Sequence, residues 1–204
     1  LLIRVDLHIH TIYSNDSTIT PKDLVEYLVK HNSVKAAAIT DHDTVLGLEK
    51  TMKLASPYHD IIIIPGVEIS TTQGDILLLG TTKLPKKPWT INNIIDFANS
   101  TGAVSIVAHP YREYGMGDLA RDYKFDAIEV FNGESRSNAN QKAQKLAKDM
   151  NLPGVAGSDA HDVLEICSVY TQVEASLDVE EILRAIKNGL VFIPPWINSS
   201  KKKD

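Results

Sequence analysis

One cysteine in 204 residues, Cys167, leaves this chain without the means to form an internal disulfide. That fits a reducing, cytoplasmic compartment, where a solitary thiol is expected to pack as a small buried hydrophobe. No stretch approaches the roughly 20 apolar residues of a membrane-spanning helix. The leading Leu1-Leu2-Ile3 is too short for a secretory core and reads as the start of a strand. Positive charge is also in short supply. Against 26 Asp and Glu stand 21 Lys and Arg, a net charge of −5. A dedicated nucleic-acid surface needs a basic face, so none is expected, although a bound cation would reverse the field locally. Aromatic residues are sparse at 6%, and no basic stretch interleaves with them to make a track for a polynucleotide. Internal repeats and linker-like segments are missing too. Residues 1–197 are therefore expected to form a single domain, followed by a solvated, flexible tail at 198–204.

What the chain does have is alternation. Short apolar runs end at His8, at Thr40, at Pro65, at His109, at Asn132 and at Ser158. Runs this short and continuous mark strands buried on both faces. Segments 75–80 and 168–173 read as further strands. Helical patterns lie between them, the first opened by Thr20 as a cap with Pro21 in the first turn. The others span 46–54, 91–100, 138–150 and 179–187. A βαβα period of this kind predicts an α/β fold built on a parallel sheet with covering helices.

Polar clusters gather at the C-terminal ends of the predicted strands, the edge at which α/β sheets and barrels bind ligands. They are Asp6-Leu7-His8-Ile9-His10, Asp41-His42-Asp43, Glu68 after Pro65-Gly66-Val67, His109 before Pro110, and Asp159-Ala160-His161. Imidazole and carboxylate together are the ligand set of catalytic Zn, Mn or Fe. Strand alternation points His8 and His10 to one face with Asp6, which could orient an imidazole through its second nitrogen. Taken singly, each cluster has an ordinary explanation. The histidine pair could be a half-buried strand end, Asp43 a helix cap, Glu68 a solvated loop residue and His109 a core histidine. Five such clusters at one edge point instead to a multinuclear metal site.

In order and spacing, these five motifs resemble those of the PHP family (polymerase and histidinol phosphatase), and the resemblance covers nearly the whole chain. It implies a distorted (β/α)7 barrel with two or three divalent ions (Zn, Mn or Fe) at its C-terminal rim. By position it implies His8, His10, His42, Glu68, His109, Asp159 and His161 as metal ligands, with His10, Asp159 and His42 the residues on which catalysis depends. Two departures stand out. The family usually has Ser-Asp-Gly soon after the histidine pair, whereas this chain has Ser14-Asn15-Asp16-Ser17, making Asp16 the expected ligand. Some members also place a ligating histidine where this chain has Asn132, a poor ligand for Zn. Nearby Glu129 reads as a buried structural carboxylate.

The resemblance further implies hydrolysis of a small phosphate ester (a nucleotide, or a sugar or amino-alcohol phosphate) by metal-activated hydroxide. Arg112 and Arg136, in rim loops, are candidates to clamp the phosphate. Only 40 residues separate Glu68 from His109, too few for the inserted subdomain of nucleotide-specific relatives, so substrate choice is expected to be broad. Two alternatives accompany this reading. One is a non-catalytic barrel similar to the PHP-like protein subunit of archaeal ribonuclease P, which calls for a basic surface and lost ligands. The other is a metal-dependent amide or carbamate hydrolase, which the same ligand set would serve.

Overall fold

The structure, a computed structural model, describes residues 1–194, so the expected tail at 198–204 lies outside the described residues. The apolar runs become β1 (Leu2–Ile9), β2 (Ala36–Ile39), β3 (Ile62–Thr71), β4 (Gly74–Leu79), β5 (Val104–Val107), β6 (Ala127–Asn132), β7 (Gly154–Gly157) and β8 (Thr171–Glu174), with a short β9 (Val191–Phe192). The helices are α1 (Pro21–Lys30), α2 (Leu48–Ala55), α3 (Ile91–Thr101), α4 (Ser137–Met150) and α5 (Val179–Lys187). Thr20 caps α1 as its sequence promises. Its hydroxyl accepts from Asp23 N at 3.1 Å, the Asp23 carboxylate accepts from Thr20 N at 3.1 Å, and Pro21 follows.

All nine strands join one sheet in the order β7-β6-β5-β4-β3-β2-β1-β8-β9. β1, β2 and β3 pair in parallel, and so do β5, β6 and β7. Between these halves β4 runs antiparallel to both its neighbours, because the turn from Thr71 to Gly74 is too short for a crossover helix. β3 therefore continues to Thr71, six residues beyond the expected end at Pro65. Pro65 sits where β3 exchanges its partner, pairing last with Ile39 of β2 before Gly66 pairs with Leu79 of β4. A residue without an amide proton is tolerated at such a change of ladder.

Two bonds at its upper rim nearly close the sheet into a barrel. Asp159 N donates to His8 O at 2.8 Å, and His10 N donates to Ala160 O at 3.0 Å. Lower down, β8 takes β1 instead, from Leu2 to Val5. At this fork the buried Asp6 carboxylate accepts from Ser158 N at 2.9 Å and Cys167 N at 2.9 Å. Burial pushes its pKa up to about 6, against the pull of these amide donors. The architecture is the distorted (β/α)7 barrel of the expectation.

Val5, Leu7, Ile64, Leu77, Leu79, Val104 and Ile106 fill the interior, and Ile182, Ala185 and Ile186 of α5 join them. α3 and α4 cover the outer face of β4 to β6, and α1 and α2 cover that of β1 to β3. Cys167 is buried and unpaired, as expected. Among the described residues, no helix is long and apolar enough to cross a membrane.

Candidate metal centre

β1 breaks register between Asp6 and Ile9. Val5 and Leu7 pack in the interior, whereas Ile9 packs outside under α1, so the irregularity turns both His8 and His10 into the barrel mouth. Asp6 is left on the other face. The expectation that it orients a histidine is wrong, since its oxygens serve the fork. Glu129 does that work. Its Oε1 lies 2.9 Å from His8 Nδ1, while its Oε2 accepts from His109 N at 2.8 Å.

His8 Nε2, His10 Nε2, Glu68 Oε2 and Asp159 Oδ1 converge on one point. The two imidazole nitrogens are 3.0 Å apart, and each lies 3.1–3.2 Å from both carboxylate oxygens. A tetrahedral ion held at about 2.0–2.1 Å would set its ligands roughly 3.3–3.4 Å apart, so the spacing fits a divalent cation. The hydrogen bonds behind the ring nitrogens sharpen this. His8 Nδ1 faces a carboxylate and so carries the proton, leaving Nε2 a lone pair. Ser14 Oγ donates to Asp41 Oδ1 at 3.1 Å and accepts from His42 N at 2.9 Å, so His10 Nδ1, 3.1 Å away, donates to it. His10 Nε2 is then a lone pair too. Four acceptors facing one another in a fully buried pocket call for a cation.

Without a cation, protons compensate. Burial pulls the His10 imidazole down, but its contacts with Asp159 and Glu68 outweigh this and lift it to about 9. His8 rises well above its usual value for the same reason, and burial of Glu68 and Asp159 is outweighed by the facing imidazoles, which hold both carboxyls low.

Glu68 is not the solvated loop residue of its ordinary explanation. It stands within β3, with its second oxygen, Oε1, 2.9 Å from His109 Nε2. The carboxylate thus spans two positions. A third lies toward solvent, where Asp16 Oδ2 comes within 3.6 Å of His42 Nε2 and 3.5 Å of His161 Nε2. His161 Nδ1 donates to Asp159 O at 2.8 Å, again freeing Nε2. All eight residues expected as ligands therefore gather at the barrel mouth.

Asp43 does not cap α2. Its Oδ1 accepts from Ser70 N at 2.9 Å, and Gly47 begins the helix with no side-chain cap. A Cβ at Gly47 would sit 2.8 Å from Asp41 Oδ2, and that carboxylate is committed to Thr11. Asn132 is turned away from ligation. Its Oδ1 accepts from Glu134 N at 3.0 Å and Ser135 Oγ at 3.1 Å. Its Nδ2 donates to Glu129 Oε2 and Asp159 Oδ2, both at 3.1 Å. Arg112 donates to the same Asp159 oxygen and, with Arg136, lines a cavity of about 410 Å³ together with Tyr111, Glu113 and Ser135. Asp75 was not anticipated. A donor atom of its carboxylate lies within 4.8 Å of donors from Glu68 and His109. Burial and the charge of Glu68 push its carboxyl upward. A charged residue opening the apolar run 76–79 was the available signal.

Comparison with known proteins gives the family and the fold. The PHP domain profile matches residues 6–151, and a PHP-associated profile matches residues 137–191. The chain belongs to the PHP domain family. It is 31% identical over 162 residues to the uncharacterized protein MJ1587 of Methanocaldococcus jannaschii, a match covering 72% of this chain and 94% of that one. Two solved structures share its fold. A candidate metal-dependent phosphoesterase of Bifidobacterium adolescentis superposes with a TM-score of 0.61 at 18% identity, over 77% of this chain and 87% of its own. An amidohydrolase of Chromobacterium violaceum, solved with sulfate and no metal, gives 0.69 at 16% identity, over 93% and 98%.

Proposed function

We propose that this chain is a metal-dependent hydrolase, and that it hydrolyses small phosphate esters. The observation that carries the reading is the set of four convergent acceptors, His8 Nε2, His10 Nε2, Glu68 Oε2 and Asp159 Oδ1, with both imidazole protons directed to the far nitrogens. Two or three divalent ions would be held by His8, His10, Glu68, Asp159, His109, His42, His161 and Asp16. Such ions supply Lewis-acid stabilisation of phosphoryl charge and ease the deprotonation of water, so no side-chain nucleophile is required.

The chain's own residues do the rest. Glu129 and Ser14 keep protons off the inward nitrogens of His8 and His10. Asn132 and Arg112 engage one oxygen of Asp159, which leaves Oδ1 for the pocket. His42 is partly exposed, with Nδ1 3.2 Å from Glu68 Oε2, so it lines the solvent side of the pocket. Arg112 and Arg136 on one cavity favour an anionic ester over a neutral amide, because a guanidinium pairs a phosphate bidentately. The cavity suits a small molecule, and the net charge of −5 disfavours long nucleic acid.

An aryl phosphate, several mononucleotides, histidinol phosphate, a set of amides and carbamates, and a defined duplex should be tested with added Mn or Zn. Turnover of the phosphomonoesters, reduced more than about 100-fold by His10→Ala or Asp159→Ala, is expected. Turnover confined to the amides or carbamates would move the chain to the other hydrolase class. A tenfold preference for the duplex, or silence on every compound, would refute the phosphoesterase reading.

A further inference from the structure

We propose that Asp75 is a metal ligand, completing a second cation position with Glu68 Oε1 and His109. This rests on the metallohydrolase reading above and adds a residue to it. Alternation along β4 settles where the side chain goes. Leu77 and Leu79 pack in the barrel interior, Ile76 and Leu78 against the outer helices, so Asp75 shares the inward face. β4 runs antiparallel to β3, with Asp75 opposite Ser70 and Leu77 opposite Glu68. Asp75 is consequently the inward residue one step nearer the rim than Glu68, and Asp75 O also accepts from Ala108 N at 3.1 Å, beside His109.

Three observations point from this placement to a cation. Donor atoms of Glu68, Asp75 and His109 all lie within 4.8 Å of one another. Glu68 divides its oxygens, Oε2 toward the His8 and His10 pair and Oε1 toward His109 Nε2, as a carboxylate shared between two ions would. His109 is only 7% exposed, so its imidazole meets the Glu68 carboxylate largely out of solvent, where charge calls for a partner. Asn132 adds nothing to this position, because both ends of its amide are occupied elsewhere. Asp75 supplies the oxygen ligand that Asn132 does not, and a site with two carboxylates and one imidazole favours a hard ion such as Mn²⁺ over a softer one.

Purified, metal-stripped protein and its Asp75→Asn variant should be titrated with MnCl2, following bound Mn²⁺ by loss of the free-ion EPR signal. Melting should be recorded with and without Mn²⁺. The expected result is one equivalent of near-parental affinity, with the next equivalent weakened at least about tenfold. The metal-free variant should melt at or above the parent, since a like charge beside Glu68 is removed, while its gain in melting temperature on adding Mn²⁺ should shrink. Asp75→His, which restores a donor, should recover much of the second equivalent. Equal affinities for every equivalent in parent and Asp75→Asn would overturn the role of Asp75 while leaving the first site standing. A parent chain that binds no Mn²⁺ at all would overturn both that role and the metallohydrolase reading.

Discussion

Replacing Glu129 by Gln should place a proton on the wrong side of a ring. Glu129 is buried and takes three donors, His8 Nδ1 on Oε1, and His109 N and Asn132 Nδ2 on Oε2. A glutamine of the same shape must point its amide nitrogen at one of these two sides. Facing His109 N and Asn132 Nδ2 would oppose donors to donors and strand two buried groups, at about 1–3 kcal/mol each. Facing His8 avoids that, because the imidazole can shift its proton from Nδ1 to Nε2 and accept. The ring then presents an N–H, not a lone pair, to His10 Nε2 at 3.0 Å and Glu68 Oε2 at 3.1 Å. Loss of such an outer partner typically weakens metal binding 10–100-fold, about 1.4–2.7 kcal/mol. Competition against a chromogenic chelator measures the affinity, and ¹⁵N shifts of the His8 ring report the tautomer. Parental affinity with the proton still on Nδ1 would refute the account of how His8 is set.

Two further outcomes follow from the same geometry. His10 rises to about 9 in the metal-free protein from an unfolded value near 6.5, so its stabilising contribution, roughly 3 kcal/mol, is complete below pH 6.5 and lost as pH rises through about 9. With chelator the melting temperature should fall across that window, whereas with Mn²⁺ present it should hold or rise, since the ion competes with the same protons. A metal-free melting temperature that does not fall between pH 6.5 and 9 would contradict this. Gly157→Ala should lower stability by about 1–3 kcal/mol in a denaturant titration and weaken metal binding as well, because the added Cβ would sit 2.5 Å from His8 Cβ and 3.1 Å from Glu129 Oε1. An unchanged midpoint would show that the β1 and β7 backbones part freely here.

The fold was largely legible because its signals are local. Thr20-Pro21 starts α1, four apolar residues make β2, and the helix expected at 179–187 is α5 without change. Errors fell where a distant partner decides. Pro65 looks like a strand end, yet β3 runs on because β4 folds back and supplies a second ladder. Asp43 looks like a cap, yet the rim of β3 offers it Ser70 N, and the chain reaches α2 only after Gly47 has slipped past Asp41. For Asp43 the local rule gave way to a partner 27 residues on in sequence, and for Pro65 to a returning strand whose first pair, Gly66 with Leu79, spans 13 residues.

The candidate metal ligands were visible for a related reason. Histidines and carboxylates at strand ends are conspicuous, and a barrel delivers every strand end to the same rim, so the ligand list requires only the strand order to be right. The groups that make those ligands work are less conspicuous, because they act through orientation. Asp6 and Glu129 are both single carboxylates within apolar strands, and composition cannot say which one turns toward His8. The irregularity in β1 decides it, leaving Asp6 to the fork with Ser158 and Cys167 and bringing His8 to Glu129. Asn132 poses the same difficulty. As a residue type it is a weak ligand, but its value lies in two donated bonds, to Glu129 and to Asp159, that tie the partner of His8 to the partner of His10. The inward lone pairs of His8, His10 and His161 each depend on an outward hydrogen bond, to Glu129, to Ser14 and to the Asp159 carbonyl. Glu129 and Ser14 are not themselves candidate ligands, so their part is read from the structure and not from the motifs.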